Sequence, residues 1–335
     1  MSEIPKIRIG ISVGDPNGIG FEIILKTFSD KRIFDFFTPV VFAHHKNLIE
    51  ERKKLGITVS VFSLSNIKNP NNGQLNVVNI WDAPFPIVYG KEQAEAGLHA
   101  ITSLETATLA LKNGDVDVLV TAPIHKKSIQ SKVFKFPGHT DYLNAQLEGQ
   151  SLMFMVTDQL KVALMSDHIP LKDVVGYLNE DKINTKIALL EKSLIQDFGI
   201  KRPKIAVLGI NPHTGDNGVI GEEDDTLLTP VIKKWNEKGS LVFGPYPADG
   251  FFGNQSYSKF DAVLATYHDQ GLIPFKTLSF GQGVNFTAGL SHVRTSPDHG
   301  TAFDIAGKGV ADPSSFSEAV YRAREIFLKR NEKFS

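Results

Sequence analysis

Short apolar runs alternate along the chain with segments in which apolar residues recur every three or four positions. The runs KIRIGISV, VDVLVTAP and KIAVLGI are rich in Val, Ile and Leu, as is typical of buried strands. The segment EQAEAGLHAITSLETATLALKNG repeats its apolar residues at helical spacing and stops at Gly114, which indicates a helix that ends on glycine. Because strands and helices alternate, the pattern predicts an α/β fold with mainly parallel sheets and helices on both faces.

The length of the chain bears on its division into domains. A chain of 335 residues corresponds to two domains or to one large α/β unit. No linker marks a boundary, so if there are two domains we expect the middle segment to be inserted into the other.

Composition excludes several classes of protein. Cysteine is absent, which rules out disulfides, thiolate nucleophiles and zinc–thiolate sites and agrees with a reducing compartment. A net charge of −1 provides no long-range field for nucleic acid or for an anionic membrane. Lys6, Arg8 and Asp15 interrupt the apolar N-terminal stretch, so it does not read as a secretory signal. With no apolar run long enough to span a bilayer, we expect a cytoplasmic protein without nucleic-acid or membrane partners.

Three strand-like runs lead into a histidine. KVALMSDHIPL contains His168, KIAVLGINPH ends at His213, and DAVLATYH ends at His268. Ligands collect at the carboxyl ends of strands in open parallel sheets, so the pattern predicts a three-imidazole site for a divalent cation. Three protein ligands leave one coordination position for substrate, as in catalytic sites. The alternative is that these are three unrelated histidines, each hydrogen-bonded and inert.

The segment GDPNGIG lies between the first predicted strand and helix. Glycines in that position can let backbone amides approach a phosphate. The order G-x-x-x-G-x-G of Gly14, Gly18 and Gly20 differs from the dinucleotide fingerprint, and no P-loop Lys-Ser/Thr follows. We therefore interpret the segment as a tight strand-to-helix turn rather than a cofactor contact.

Two further segments carry residues suited to an anion. In FPGHTDYL, His139 and Thr140 can donate two hydrogen bonds to an anionic ligand. Taken alone, the segment favours Thr140 as the cap of a helix that begins at Asp141, and the two roles are compatible. Between residues 261 and 312 the chain carries His268, Lys276, Asn285 and Arg294, with Asp269 the only acid between His268 and Arg294. A lysine, an arginine fork and an amide donor suit a carboxylate or a phosphate, so we predict an anion pocket.

One acidic run looks structural. Glu222–Asp225 is expected to lie solvated at a helix N-terminus, where negative charge is favourable, and no catalytic role is predicted for it.

Taken together, these segments resemble a known enzyme family over nearly the whole chain. They are SVGDPNGIG, TAPIHK, FPGHTDYL, DHIPL, GINPHTG, GPYPADGFF, YHDQGLIPFK, GVNFTAGL and RTSPDHGTAFDIAG. The chain is similar to the 4-hydroxythreonine-4-phosphate dehydrogenases of pyridoxal phosphate biosynthesis. At matching positions, the resemblance implies that His168, His213 and His268 bind the metal. It implies that the phosphorylated substrate is held by five residues: His139, Thr140, Lys276, Asn285 and Arg294.

The resemblance also implies an architecture. The family is similar in fold to the isocitrate and isopropylmalate dehydrogenases, which bind NAD without the usual glycine fingerprint. It forms homodimers whose site lies in an interdomain cleft, with metal ligands from both subunits. The expected first domain comprises residues 1–128 and 276–335, and the expected second domain comprises residues 129–275.

The implied reaction is oxidation of 4-phosphooxy-L-threonine at C3 by NAD or NADP, then decarboxylation to 3-amino-2-oxopropyl phosphate. Zinc, magnesium or cobalt would suit the site. Three other hypotheses remain: a paralogous dehydrogenase of erythronate or threonate 4-phosphate, an acyl or phosphate transferase of the same fold, and a non-catalytic metal-binding module. His125 stands where the family usually has asparagine and Ser291 where it usually has proline. Asp249 is either a proton-transfer group or a turn residue.

Overall fold

The computed structural model describes residues 6–131 and 134–332, and these residues form two compact units. The first unit comprises the described residues of Met1–Gly149 and Leu290–Phe327. The second comprises those of Gln150–Gly289 and Leu328–Ser335.

The described residues form twelve strands and ten α-helices. The strands are β1 (Ile7–Ser12), β2 (Phe37–Ala43), β3 (Val61–Leu64), β4 (Leu75–Asn79), β5 (Val118–Thr121), β6 (Gly149–Val156), β7 (Lys161–Leu164), β8 (Lys204–Leu208), β9 (Leu241–Tyr246), β10 (Ala262–Ala265), β11 (Val284–Leu290) and β12 (Arg294–Pro297).

The helices are α1 (Gly20–Thr27), α2 (His45–Lys54), α3 (Ala94–Lys112), α4 (His139–Gln146), α5 (Val174–Tyr177), α6 (Glu180–Gln196), α7 (Thr229–Glu237), α8 (Ala248–Gly253), α9 (His268–Ser279) and α10 (Ser314–Asn331). A π-helical turn, Asp224–Leu228, precedes α7.

In the first unit, the strands follow the order β3-β4-β2-β1-β5-β12 and every neighbouring pair is parallel. All seven residues of β2 are buried, so both faces of this sheet are covered. Its apolar core joins strand residues such as Phe42 and Leu119 to Leu104 of α3 and to Tyr142 and Leu143 of α4.

In the second unit, the strand order is β11-β6-β7-β10-β8-β9. The pairs β7–β10, β10–β8 and β8–β9 are parallel, whereas β6 and β7 are antiparallel. Helix α9 lies very close to this sheet, because a Cβ built on Gly271 would come within 2.8 Å of Val162 and 2.9 Å of Ala265. The predicted α/β fold with mainly parallel pairing is confirmed.

As expected, the first unit is formed by two separate parts of the chain. The chain passes between the units after residues 149 and 289, whereas the expected boundaries followed residues 128 and 275. Helix α4 belongs to the first unit, because Tyr142 and Leu143 lie in that unit's core. Helix α9 belongs entirely to the second unit, because Leu272 and Phe275 lie in the core of that unit.

Candidate active site

The GDPNGIG segment forms a turn that only glycine allows. Gly14 has φ +69, and a Cβ there would stand 2.1 Å from the carbonyl oxygen of Pro123. A Cβ on Gly20 would stand 2.1 Å from the carbonyl oxygen of Val13. These approaches account for the glycines by packing alone, in agreement with a tight strand-to-helix turn.

A buried carboxylate, for which no functional role was predicted, lies in this turn. Asp15 is fully buried and accepts a hydrogen bond from the backbone N–H of Asn17 at 2.9 Å. Burial raises the pKa of the Asp15 carboxyl, while the Asn17 N–H and the charge of His125 act to lower this pKa. An acid in the glycine-rich turn that follows a buried strand was the signal in the sequence that could have marked it.

His125 is held in the turn after β5 by contacts of its own. Its Nδ1 lies 2.8 Å from the Ser128 hydroxyl and its Nε2 lies 4.0 Å from a carboxylate oxygen of Glu92. The imidazole also packs on the ring of Phe303, with 5.0 Å between ring centroids. Histidine at this position is therefore accommodated by polar and aromatic neighbours of the first unit.

Arg294 is a buried cation at the start of β12. Only 2% of the residue is exposed, and its Nε and Nη2 donate to the hydroxyl of Thr121 at 3.2 and 2.6 Å. Thr121 is the last residue of β5, which pairs with β12 in parallel. Desolvation lowers the pKa of the guanidinium to about 9. A strongly desolvated cation of this kind is a candidate for binding an anion.

His139 and Thr140 lie at the start of α4, also in the first unit. The helix begins at His139, with Gly138 as its N-cap residue. The expectation that Thr140 caps a helix beginning at Asp141 is therefore wrong: the backbone turns helical two residues earlier, and Thr140 lies in the first turn.

The imidazole of His139 is buried and lies within the electrostatic influence of Arg294 and Lys126. Desolvation lowers its pKa well below the usual range, and the positive charges of Arg294 and Lys126 lower it further. Its Nε2 is buried without a hydrogen-bond partner among the described residues. A buried polar atom without a partner is expected to be completed by a ligand or water.

In the second unit, two of the three predicted metal histidines lie together. Strands β7 and β10 are parallel neighbours, and the rings of His168 and His268, which follow them, have centroids 6.1 Å apart. Two imidazoles on one tetrahedral ion, at about 2.0–2.1 Å from it, have centroids roughly 5 Å apart. The two rings are therefore close neighbours, with a spacing about one ångström wider than that of a shared tetrahedral ion.

Asp269 orients one of these rings. Its carboxylate lies 2.7 Å from Nδ1 of His268. With the proton on Nδ1, Nε2 keeps its lone pair for a metal, and such a carboxylate contact is common behind ligating histidines.

His213 is not part of that pair. It is exposed and lies at the start of a turn, Pro212–Gly215, with a left-handed φ of 52. Across residues 6–131 and 134–332, no group of three or more His, Asp or Glu side chains is placed to hold a metal ion. A single chain thus brings together two of the three predicted ligands.

The acidic run after His213 differs from its prediction. Glu222 and Asp225 are exposed as expected, but Asp224 is fully buried. Its two carboxylate oxygens accept hydrogen bonds from the backbone N–H groups of Ile210 at 2.7 Å and Asn211 at 2.9 Å. Asp224 therefore fixes the backbone that leads to His213, and its prediction as solvated is wrong.

The remaining predicted substrate residues lie in the second unit. Lys276 is exposed on α9, the helix that His268 begins. Asn285 lies on β11, and its side-chain oxygen is buried with no partner among the residues described. Asp249 is exposed in the first turn of α8.

Among the described residues, none of the helices combines the length and the apolar character needed to cross a bilayer.

Comparisons with known proteins agree over nearly the full chain. The profile of the family described as pyridoxal phosphate biosynthetic protein PdxA matches residues 35–323. A 4-hydroxythreonine-4-phosphate dehydrogenase of Bacteroides thetaiotaomicron is 44% identical over 98% of this chain and 91% of its own length. One from Sulfurihydrogenibium is 40% identical, over 98% of this chain and all of its own length. The crystal structure of the Klebsiella pneumoniae 4-hydroxythreonine-4-phosphate dehydrogenase has a TM-score of 0.82 at 33% identity and covers 96% of this chain and 100% of its own.

The fold and these relatives define the class as a mainly parallel α/β dehydrogenase. Within that class, the chain belongs to the family of the pyridoxal phosphate biosynthetic protein PdxA.

Proposed function

We propose that this chain oxidises 4-phosphooxy-L-threonine at C3 with NAD, after which the β-keto acid loses carbon dioxide to give 3-amino-2-oxopropyl phosphate. The observation that carries the proposal is near-full-length identity of 44% to a relative with the matching name, in a chain that buries Arg294. The relative's name supports the substrate, and the buried guanidinium supports its phosphate.

In this proposal the phosphate is held by Arg294, His139 and Thr140, and the resemblance adds Lys276 and Asn285. Arg294 contributes a fixed positive charge in a desolvated setting, where Coulomb attraction to a phosphate is strong. His139 is neutral at pH 7 because its pKa is depressed, so it donates one N–H to a phosphate oxygen. Binding energy from this remote group positions C3 against the nicotinamide.

The three histidines suit a divalent cation. His168 and His268 are close neighbours at the ends of adjacent strands, and neutral imidazoles leave the ion's charge undiminished. When bound, such an ion supplies positive charge beside the substrate hydroxyl and the ketone that replaces it. Asp269 holds the His268 ring in one tautomer, so that its ligating nitrogen keeps a constant direction.

We propose that the site is completed by a second copy of the chain, with His213 and His268 contributed by different subunits. The support is that one chain pairs two histidines and leaves the third apart. In addition, Leu171, Val219 and Ile273, each a few residues from one of these histidines, are 69%, 81% and 64% exposed. Large exposed apolar side chains are typical of an interface.

A subunit-mixing experiment tests this arrangement. His213→Ala and His268→Ala variants are each expected to be inactive as homodimers. A heterodimer of the two has one site with all three histidines if these two residues come from different chains. Each heterodimer should then have up to half of the wild-type activity, which is about a quarter in a statistical 1:1 mixture, whereas a mixture with exchanged subunits and no activity would refute the shared site.

The substrate assay tests the reaction itself. NADH formation is measured with 4-phosphooxy-L-threonine and, as the control, with erythronate 4-phosphate, with and without a chelator and with NADP in place of NAD. We expect turnover of the amino acid, loss on chelation and release of carbon dioxide. Preference for erythronate 4-phosphate would overturn the proposed substrate but would still agree with a dehydrogenase reaction.

A further inference from the structure

A chain of hydrogen bonds links the three segments that carry His168, His213 and His268. We name it the strand-end network; its members are Ser166, Thr266, Gln270 and the backbone carbonyl of Gly209. The Ser166 hydroxyl donates to the carbonyl oxygen of Thr266 at 2.7 Å. This bond joins the end of β7 to the end of β10, and each of its residues lies two positions before a histidine.

Gln270 extends the network to the third segment. Its side-chain oxygen accepts from the backbone N–H of Thr266 at 2.8 Å and from the Thr266 hydroxyl at 2.9 Å. Its side-chain nitrogen donates to the carbonyl oxygen of Gly209 at 2.6 Å. One amide therefore bridges the turn that carries His268 and the end of β8, four residues before His213.

Asp224 continues the support beyond Gly209. Its carboxylate binds the next two backbone N–H groups, those of Ile210 and Asn211. Space is tight here, because a Cβ on Gly209 would lie 3.0 Å from a carboxylate oxygen of Asp224. The backbone between β8 and His213 is thus held from both sides.

Burial makes these bonds decisive for geometry. Ser166 is 2% exposed, and Thr266 and Asp224 are fully buried. A buried donor or acceptor that loses its partner is costly, so the three strand ends cannot shift independently without breaking the network.

We propose that Gln270 is a positioning residue: through the strand-end network it sets, within one subunit, the placement of the His168–His268 pair and of the loop that presents His213 to the other site of the dimer. It thereby sets the affinity and geometry of the metal sites. The inference rests on the proposed function, because it assumes that these histidines bind a divalent cation. Gln270 acts on the metal only through the backbone that carries the ligands.

The test uses Co²⁺ as the probe, since its visible absorption reports coordination geometry. Gln270→Met removes both hydrogen-bonding ends of the amide at similar size. Gln270→Glu keeps the acceptor for Thr266 but replaces the donor to Gly209 with an oxygen. Asp197→Asn is the matched control, because Asp197 is also a buried polar residue of the second unit, bound to Ser193 and Arg330 outside the network.

Each protein is titrated with Co²⁺ as the full-length chain, and thermal unfolding is recorded without metal. We expect both Gln270 variants to raise the Co²⁺ dissociation constant by roughly tenfold to a hundredfold and to shift the visible bands. Asp197→Asn should lower the unfolding temperature while leaving affinity and spectrum unchanged.

The outcomes separate the two levels of the proposal. Wild-type affinity and spectrum in both Gln270 variants would overturn the positioning role alone. Equal weakening in Asp197→Asn would also overturn it, because general destabilisation would then explain the effect. A wild-type protein that binds no Co²⁺ would overturn the metal site and the inference together.

Discussion

Replacing Arg294 with methionine is expected to stabilise the ligand-free protein while abolishing tight binding of the phosphorylated substrate. The guanidinium is 2% exposed, and desolvation lowers its pKa to about 9. Against a usual value of about 12.5 or above, and at about 1.4 kcal/mol per pKa unit, its charge costs roughly 5 kcal/mol in the folded state.

Part of that cost is offset by hydrogen bonds that the variant loses. Arg294 donates twice to the Thr121 hydroxyl, and leaving this buried hydroxyl without its donor costs about 1 to 3 kcal/mol. The Arg294→Met variant should therefore raise the free energy of unfolding by up to about 4 kcal/mol, in the range seen when buried charges are replaced by apolar residues.

Urea denaturation of the ligand-free protein measures this change, with Arg32→Met as the control. Arg32 pairs with Asp30 at an exposed position, so its replacement should change stability little. In parallel, the KM for the phosphorylated substrate should rise more than tenfold in Arg294→Met, or at least about 1.4 kcal/mol. A destabilised variant, or one with an unchanged KM, would refute the assignment of Arg294 as a charge held for an anion.

Three other predictions concern single positions. His213→Ala should lose bound metal and turnover but still fold, because the side chain is exposed; NAD reduction by that metal-free variant would contradict the metal site. Between the depressed pKa of folded His139 and about 6.5, the unfolded state binds more protons than the folded state, so the free energy of unfolding should rise with pH in this range. Denaturation series at several pH values should show a flatter slope for His139→Asn. Gly14→Ala should cost about 3 kcal/mol or more, because its Cβ would meet the Pro123 carbonyl at 2.1 Å, whereas Gly73→Ala, with φ +75 and open space, should cost only about 1 kcal/mol by the same measurement.

The fold was predictable because its signals are local. Buried parallel strands read as continuous apolar runs, as in β10, where all four residues are buried. The helix predicted before Gly114 is α3, and Gly114 has the left-handed φ of 72 that suits a helix end. The turn at Gly14 was also predictable, because its glycine spacing fails the phosphate-binding patterns.

Buried polar residues were not predictable in this way. Asp224 lies in an acidic run that reads as solvated. Its carboxylate is nevertheless buried and accepts hydrogen bonds from the backbone N–H groups of Ile210 and Asn211, which are distant in sequence. Whether a polar side chain is buried depends on the tertiary contacts around it, which apolar periodicity does not encode. For the same reason, the link from Gln270 to Gly209 was invisible in the sequence.

The candidate site was predictable only in part. Strand ends put His168 and His268 together, because their strands are neighbours, but the exposed loop that carries His213 has no periodicity that fixes its course. The start of α4 was predicted two residues too late, at Asp141 and not at His139. Thr140 is a residue type that often caps helices, and this misplaced the boundary.

The most direct test of the central claim is a crystal structure of the protein soaked with a divalent cation and 4-phosphooxy-L-threonine. The account predicts the cation on His168, His213 and His268, with His213 and His268 from different subunits, and the phosphate on Arg294 and His139. A cation bound to other side chains, or a phosphate away from Arg294, would contradict it.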